Sequence, residues 1–300
     1  MKINGKRKRI LLTGGSGFIG KNIRESFLAE QYEIVAPRSK ELNLTDTAAV
    51  DAFFQQNSFD VVLHAATKPG HRNAKDPTNL FYTNVRMFEN LVRHTDKFGK
   101  LINFGSGAVY DIATDNRLVT EDQIGLRMGT DDHSFCKYVV HERIEALPNV
   151  IDLNIFGIFG KYEDWEIRFI SNAICKTLFG LPITMRQNRR FSYLYVKDLM
   201  PILAYMIEHD MAHKSYNITP DGETELLQAA QTVRQVGNKK NDIRIATPGY
   251  GLNYSGSNAR LKTEIKDLAF TPFERAVKEL FVYYSQHQSE IDKNLLLTDK

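Results

Sequence analysis

The stretch His133-Ser-Phe-Cys-Lys137 carries two side chains well suited to moving a proton. They stand four residues apart in a segment, Asp131 to Ala146, whose pattern predicts a helix, so both occupy one face. An imidazole with an unperturbed pKa of about 6.5 is available in both protonation states near neutrality. As imidazolium it can protonate an alkoxide; as imidazole it can remove a proton alpha to a ketone. A neighbouring ammonium depresses the imidazole pKa and favours the neutral base. Either chemistry needs a device that holds a reactant beside the pair.

That device is indicated near the N-terminus. The run "LLTGGSGFIG" places Gly14, Gly17 and Gly20 three apart, directly after one strand pattern and at the opening of a helix. Glycines there allow a tight turn and a close approach of backbone to a pyrophosphate, and the helix start offers free N–H groups. The next strand ends in "IVAPRSKELNL" with no Asp or Glu to hold a ribose 2′-hydroxyl. Arg38 stands there instead, 18 residues past Gly20. A guanidinium suits a 2′-phosphate, so NADP(H) is expected in preference to NAD(H).

The elements that position these residues alternate. "RILLTG", "YEIVAP", "DVVLHAA", "KLINFGS" and "VIDLNIF" read as strands. Helical patterns separate them at Gly17 to Glu30, Thr45 to Gln56, Thr78 to Lys97 and Asp131 to Ala146. Near-continuous apolar strands between helices imply a parallel sheet covered on both faces. The expected fold class is α/β, a Rossmann-type doubly wound parallel sheet with a smaller C-terminal substrate lobe. Residues 1–157 form the nucleotide-binding domain in this reading, and 158–300 the lobe, partly interleaved with the sheet. In the lobe, helices are expected at Glu166 to Leu178, Lys197 to Glu208, Glu223 to Val236 and Pro272 to Gln286, with strands at "YLYV", "SYNI" and "DIRIA".

Composition narrows the classes. A net charge of +3 is too small to argue for nucleic acid, and the cluster Lys6, Arg7, Lys8, Arg9 reads as a solvated tail. Cys136 and Cys175 have neither metal-ligand spacing nor a disulfide framework, which suits a reducing cytoplasm. The first apolar run is short and broken by glycines, so neither a signal peptide nor a membrane span is expected.

With these motifs in place, the chain resembles the extended short-chain dehydrogenase/reductase family of nucleotide-sugar enzymes (the NAD-dependent epimerase/dehydratase family). The resemblance extends over nearly the whole length. It rests on "TGGSGFIG", "LHAAT", "NFGSGAVY", the Lys of "HSFCK" and "YLYVKDL". "RSKELNLTD" and "HAATKPG" followed by "DPTNLFYTN" resemble its GDP-fucose synthase-like 4-keto-sugar reductases. The resemblance implies that Gly14, Ser16, Gly17, Phe18, Ile19 and Gly20 contact the pyrophosphate and Arg38 the 2′-phosphate. It puts Asn43 and Leu44 by the adenine and Ala65 and Ala66 along the cofactor ribose. Ser106, four residues before Tyr110, matches the catalytic Ser/Thr, and Lys137 matches the Lys that holds the nicotinamide ribose. His133 stands where the family has Tyr. Tyr138, adjacent to the Lys, faces elsewhere, and Tyr193 with Lys197 is a chance Tyr-x-x-x-Lys.

On the substrate side the resemblance singles out Asn84, Tyr110 and either Arg189 or Arg190 for a nucleotide diphosphate. The charged loop with Lys68, His71, Arg72 and Lys75 is expected over the cofactor, with His71 a second acid/base candidate. Gly107 and Ala108 follow Ser106 where the family's sugar dehydratases carry Asp-Glu, so dehydration lacks its proton donor. Asn154, Gly157, Phe159 and Lys161 depart from the family's Arg-x-x-Asn-x-Tyr-Gly-Pro. The expected activity is NADP(H)-dependent reduction, or epimerisation and reduction, of a nucleotide-linked 4-keto-6-deoxy sugar, by a homodimer packed through the helices beginning near Phe81 and Asp131. The alternatives are an epimerase with a recycled cofactor and a non-catalytic NADP-binding protein. Three roles of His133 are open: acid/base, relic of lost hydride chemistry, or structural group beside Tyr110 or a water as donor.

Overall fold

A computed structural model describes residues 7–71 and 73–297; Lys6 and Arg72 lie outside the described residues. The chain runs β1 (Arg9–Thr13), α1 (Phe18–Arg24), α2 (Leu28–Gln31), β2 (Glu33–Val35), α3 (Thr47–Gln56), β3 (Phe59–His64), α4 (Leu80–Val92), β4 (Phe98–Asn103), β5 (Asn116–Val119), α5 (Asp132–Glu145) and β6 (Val150–Ile155). It continues β7 (Gly157–Phe159), α6 (Phe169–Leu178), β8 (Ile183–Met185), β9 (Arg190–Phe191), β10 (Tyr193–Tyr195), α7 (Leu199–Glu208), β11 (Ser215–Ile218), β12 (Thr224–Glu225), α8 (Leu226–Val236), β13 (Ile243–Ile245), β14 (Tyr254–Gly256), α9 (Ala259–Glu264) and α10 (Phe273–Gln286).

Six strands in the order β11-β6-β4-β3-β1-β2 form one parallel sheet. Alternation along each strand divides the core between two faces. Ile10, Leu12, Val61, Leu63 and Ile102 join one apolar cluster with residues of α1, α6, α7, α8 and α10. Leu11, Val62, Leu101 and Val150 join the other with residues of α3, α4 and α5. The doubly wound α/β class is therefore as the sequence implies. The sixth strand, Ser215–Ile218, lies beyond residue 157 and pairs with β6, so the second half of the chain completes the nucleotide-binding sheet. Apart from it stand a four-stranded sheet, β12-β9-β14-β5, and the parallel pairs β10-β7 and β13-β8.

Several expected helices are shorter than their patterns, each for a local reason. The one predicted over Gly17 to Glu30 breaks after Arg24, where the Ser26 hydroxyl donates to Ile23 O (2.8 Å) and accepts from Leu28 N–H (3.2 Å). The one predicted from Thr78 starts at Leu80, because Asp76 Oδ1 accepts from Thr78 N–H and Asn79 adopts φ 53°. The one predicted from Glu166 starts at Phe169, after Asp164 Oδ1 accepts from Glu166 N–H. By contrast α5 starts where expected: Asp131 Oδ1 accepts from His133 and Ser134 N–H, both at 3.0 Å.

Because every strand of the sheet runs the same way, the turns after β1, β3, β4 and β6 emerge at one edge. β1 lies between β2 and β3, so the connections diverge there and open a crevice. At the opposite edge, where β3 and β4 begin, Phe54 is 1% exposed, edge-on to Phe53 and Phe59 and stacked on His94 at 4.8 Å. Phe54→Ala should cost about 3–5 kcal/mol, read as a lower urea midpoint at unchanged slope.

Candidate active site

The glycine loop is shaped by backbone contact. Gly14 has φ +70°, and a β-carbon on it would stand 2.6 Å from the backbone of Ala65 and Ala66. A β-carbon on Gly20 would overlap Gly14 O. Gly17 N–H donates to Gly14 O (3.0 Å), and Gly17 caps α1 with no side-chain bond. Ser16, Phe18 and Ile19 complete this turn, leaving a concave backbone surface with uncapped first-turn N–H groups. It lies against Ala65 and Ala66, as a dinucleotide cradle requires. Arg38 follows β2, is exposed, and makes no ion pair among the described residues; its N–H donates to Glu41 (2.7 Å). Asn43 uses its Oδ1 in its own turn, accepting from Thr45, and Leu44 is buried with its carbonyl held by Asn90.

At the end of β4, Ser106 is extended and caps a short 3-10 turn, its Oγ accepting from Ala108 N–H (3.2 Å). Lys137 Nζ reaches Phe104 O at 3.5 Å, two residues from Ser106. His133 stands one turn earlier on α5, and neither ring nitrogen has a hydrogen-bond partner among the described residues. Burial and then the Lys137 charge push its pKa down to about 4, so the imidazole is neutral at physiological pH. His64 behind it is pushed to about 3 by the same two causes and shares a 2.8 Å bond with Thr13.

The charged loop after β3 bends over this edge. The loop is anchored by Asn84, which is buried and exchanges bonds with the Lys68 backbone (2.7 and 3.1 Å). Asn84 thus anchors the loop, and the Lys68 ammonium pairs with Asp76 at 2.6 Å. Asn73 donates to Asp164 (3.2 Å) and Glu166 (2.9 Å), tying the loop to the segment before α6. His71 Nδ1 is buried without a partner among the described residues, and its pKa is lowered by burial and then by Arg168.

Tyr110 is 4% exposed, stacks on Phe156 and donates to Asn217 Oδ1 at 2.7 Å. Arg189 and Arg190 differ in their surroundings. Arg190 pairs with Glu225 (3.0 Å) and lies over Tyr250. Arg189 makes no ion pair among the described residues, stacks over Phe191 at 4.7 Å and leaves its Nε buried and unpartnered. The expected chance pair is indeed apart: Lys197 bonds Glu279, and Tyr193 stacks on Phe191.

Two residues escaped the sequence reading. Arg168, at the start of α6, makes no ion pair among the described residues, yet its charge acts on His71, His133, Glu163, Tyr193 and Tyr254. Tyr254 on β14 brings its hydroxyl to 3.4 Å from Ser106 Oγ. Burial raises its pKa, against Ser106, Arg168 and Arg189, to about 12. No local motif marks either residue.

The fold and cleft define a dinucleotide-binding α/β protein with a hydroxyl and a lysine at the end of β4 and, acting on Tyr254 beside that hydroxyl, two arginines that make no ion pair among the described residues. The family model "NAD dependent epimerase/dehydratase family" matches residues 10–219, and the chain belongs to that family. It is 27% identical over 224 residues to a GDP-L-colitose synthase of Yersinia pseudotuberculosis, covering 67% of this chain and 72% of that one. It is 30% identical over 173 residues to a GDP-L-fucose synthase of Azorhizobium caulinodans, covering 53% of this chain and 55% of the other. Among solved structures, a GDP-L-fucose synthetase from Naegleria fowleri bound to NADP superposes with a TM-score of 0.80 at 18% identity, covering 94% of each chain. No helix among the described residues is long and apolar enough to cross a membrane.

The neutral His133 has a consequence for stability. Its folded pKa of about 4 lies below the ordinary 6.5, so the unfolded chain binds more protons between those values. Its contribution is complete above pH 6.5 and is lost as pH falls toward 4. His133→Gln should flatten the acid-side decline in urea stability, by at most ~1.4 kcal/mol per pH unit.

Proposed function

We propose that this protein is an NADP(H)-dependent oxidoreductase that reduces the ketone of a nucleotide-linked 4-keto-6-deoxy sugar, with Ser106, His133 and Lys137 at the reaction centre. The observation that carries this is the meeting of Ser106 and Lys137 at the end of β4 with Tyr254, on which the charge of Arg189 acts, and Arg189 is half-buried with no carboxylate partner among the described residues. A protein that only senses a cofactor has no use for a second unpaired cation beyond the cradle, whereas a substrate diphosphate matches one. The names of the two relatives favour a GDP-linked sugar.

A reduced nicotinamide bound in the cradle supplies a hydride to the ketone. The remaining work falls to this chain. Backbone of Gly14, Ser16, Gly17, Phe18, Ile19 and Gly20 would hold the pyrophosphate, Arg38 the 2′-phosphate and Lys137 the nicotinamide ribose. Ser106 Oγ donates to the substrate oxygen as negative charge builds on it. Burial, and after it the Lys137 charge, keeps His133 neutral, so the imidazole orients the sugar or accepts a proton and does not serve as the acid. Arg189 and Arg168 hold the anionic nucleotide and exclude competing water from it.

A second reading has its own support. His71 and His133 both have lowered pKa values within the field of Arg168, and two neutral bases suit epimerisation beside the ketone before reduction. Solvent deuterium appearing at the carbons flanking the ketone separates the two readings. The protein is further proposed to be a homodimer through α4 and α5, which pack together through Phe81 on Phe135 at 5.3 Å; light scattering reads the mass.

Purified protein should oxidise NADPH when offered GDP-4-keto-6-deoxy sugars, followed by loss of nicotinamide absorbance. Arg38→Ala should weaken NADPH roughly tenfold to hundredfold while leaving NADH almost unchanged, the value of one charge-assisted contact. Arg189→Ala should raise KM for the nucleotide sugar by about tenfold or more with NADPH affinity unaltered.

A further inference from the structure

We propose that Tyr254, a residue of β14 remote from the helix that carries Lys137, is the proton donor to the substrate oxygen held by Ser106. The assignment rests on the reductase reading above and deepens it.

Replacement of a helical phenol by His133 leaves the reaction centre without an acid at that position, since the imidazole is neutral. Among the described residues, Tyr254 has the one phenol hydroxyl bonded to Ser106 Oγ, at 3.4 Å. Ser106 donates to or accepts from it, so an oxygen placed against Ser106 also lies within reach of the phenol. Tyr110 is excluded by its bond to Asn217.

The surroundings of Tyr254 look built to aim it. β14 pairs with β5 on one side and β9 on the other, with an irregular register between Tyr254 and Gly256 beside β5. Such irregularities re-aim side chains next to active sites. The ring is held between Phe156 at 5.0 Å and Phe191 at 5.8 Å. Phe156 fits there because two glycines lie against it. A β-carbon on Gly107 would stand 2.6 Å from its ring, and one on Gly256 2.5 Å. Gly107 directly follows Ser106, so one packing unit fixes both hydroxyls. Burial raises the pKa of this phenol and keeps it protonated, and the charges of Arg168 and Arg189 work against that shift, offsetting part of the cost of the phenolate formed when the proton leaves.

The step balances as follows. A hydride from a reduced nicotinamide adds to the ketone carbon, and the carbonyl π pair moves onto oxygen as an alkoxide. The Tyr254 O–H bond breaks and the new O–H bond forms on the sugar. The ketone is reduced, the nicotinamide is oxidised, and the phenolate beside the two arginines recovers its proton from water.

Tyr254→Phe keeps the ring and its packing and removes only the hydroxyl. Two measurements test it. In turnover with NADPH and a GDP-4-keto-6-deoxy sugar, kcat should fall at least a hundredfold while KM for both substrates stays within twofold and the melting temperature is unchanged, and His133→Ala should lose less than Tyr254→Phe. In calorimetry without cofactor, the wild type should bind the 4-keto sugar severalfold more tightly than its 4-deoxy analogue, and Tyr254→Phe should abolish that preference. Wild-type turnover with an active Tyr254→Phe and an intact keto preference overturns the assignment alone. A wild type that neither turns over nor binds any of these sugars overturns the reductase reading, and the assignment falls with it.

Discussion

A β-carbon on Gly14 would stand 2.6 Å from the Ala65 backbone, and the arrangement of the cleft follows from that steric limit. It lets the turn after β1 lie directly on the turn after β3, so backbone alone faces the crevice. Gly20 closes the same contact from the helix side. With the strands parallel, β4 ends beside this cradle, and its last turn presents Ser106. α5 then runs back across the sheet from the Asp131 cap, which sets His133 and Lys137 one turn apart over the β4 end.

The cleft's charge is one-sided. Lys137, Arg168 and Arg189 have no carboxylate partner among the described residues, whereas Lys68, Arg190 and Lys197 on its margins do. Unpaired cations in a concave, partly desolvated site attract anionic ligands and strengthen hydrogen bonds to developing negative charge. Burial, and after it the Lys137 charge, holds His64 and His133 neutral. The glycine cradle and these cations are thus parts of one electrostatic arrangement, suited to a dinucleotide and to further negative charge beside it.

What the sequence made legible was local. The glycine spacing, the strand-helix alternation, the Asp131 cap and the position of Arg38 each depend on residues close in the chain, and the parallel sheet follows from their order. The Ser106–Tyr254 contact spans 148 positions, and no spacing rule reaches that far. Nearness of Tyr110 to Ser106 in sequence likewise says nothing of Asn217, 107 residues away, which accepts from its hydroxyl. Adjacent Arg189 and Arg190 were indistinguishable until Glu225 claimed one of them. The short strands β5, β9, β12 and β14 carry no apolar run and exist only through one another's pairing. The segments that shape the substrate side were therefore the ones the sequence hid.

The central claim is hydride transfer to a sugar ketone in this cleft. The most direct measurement is the fate of deuterium from NADPH labelled at the transferable nicotinamide position, incubated with the protein and GDP-4-keto-6-deoxymannose and read by mass spectrometry of the sugar. The account predicts one deuterium on the carbon that bore the ketone. Tight binding of both ligands with no deuterium in the sugar would contradict it.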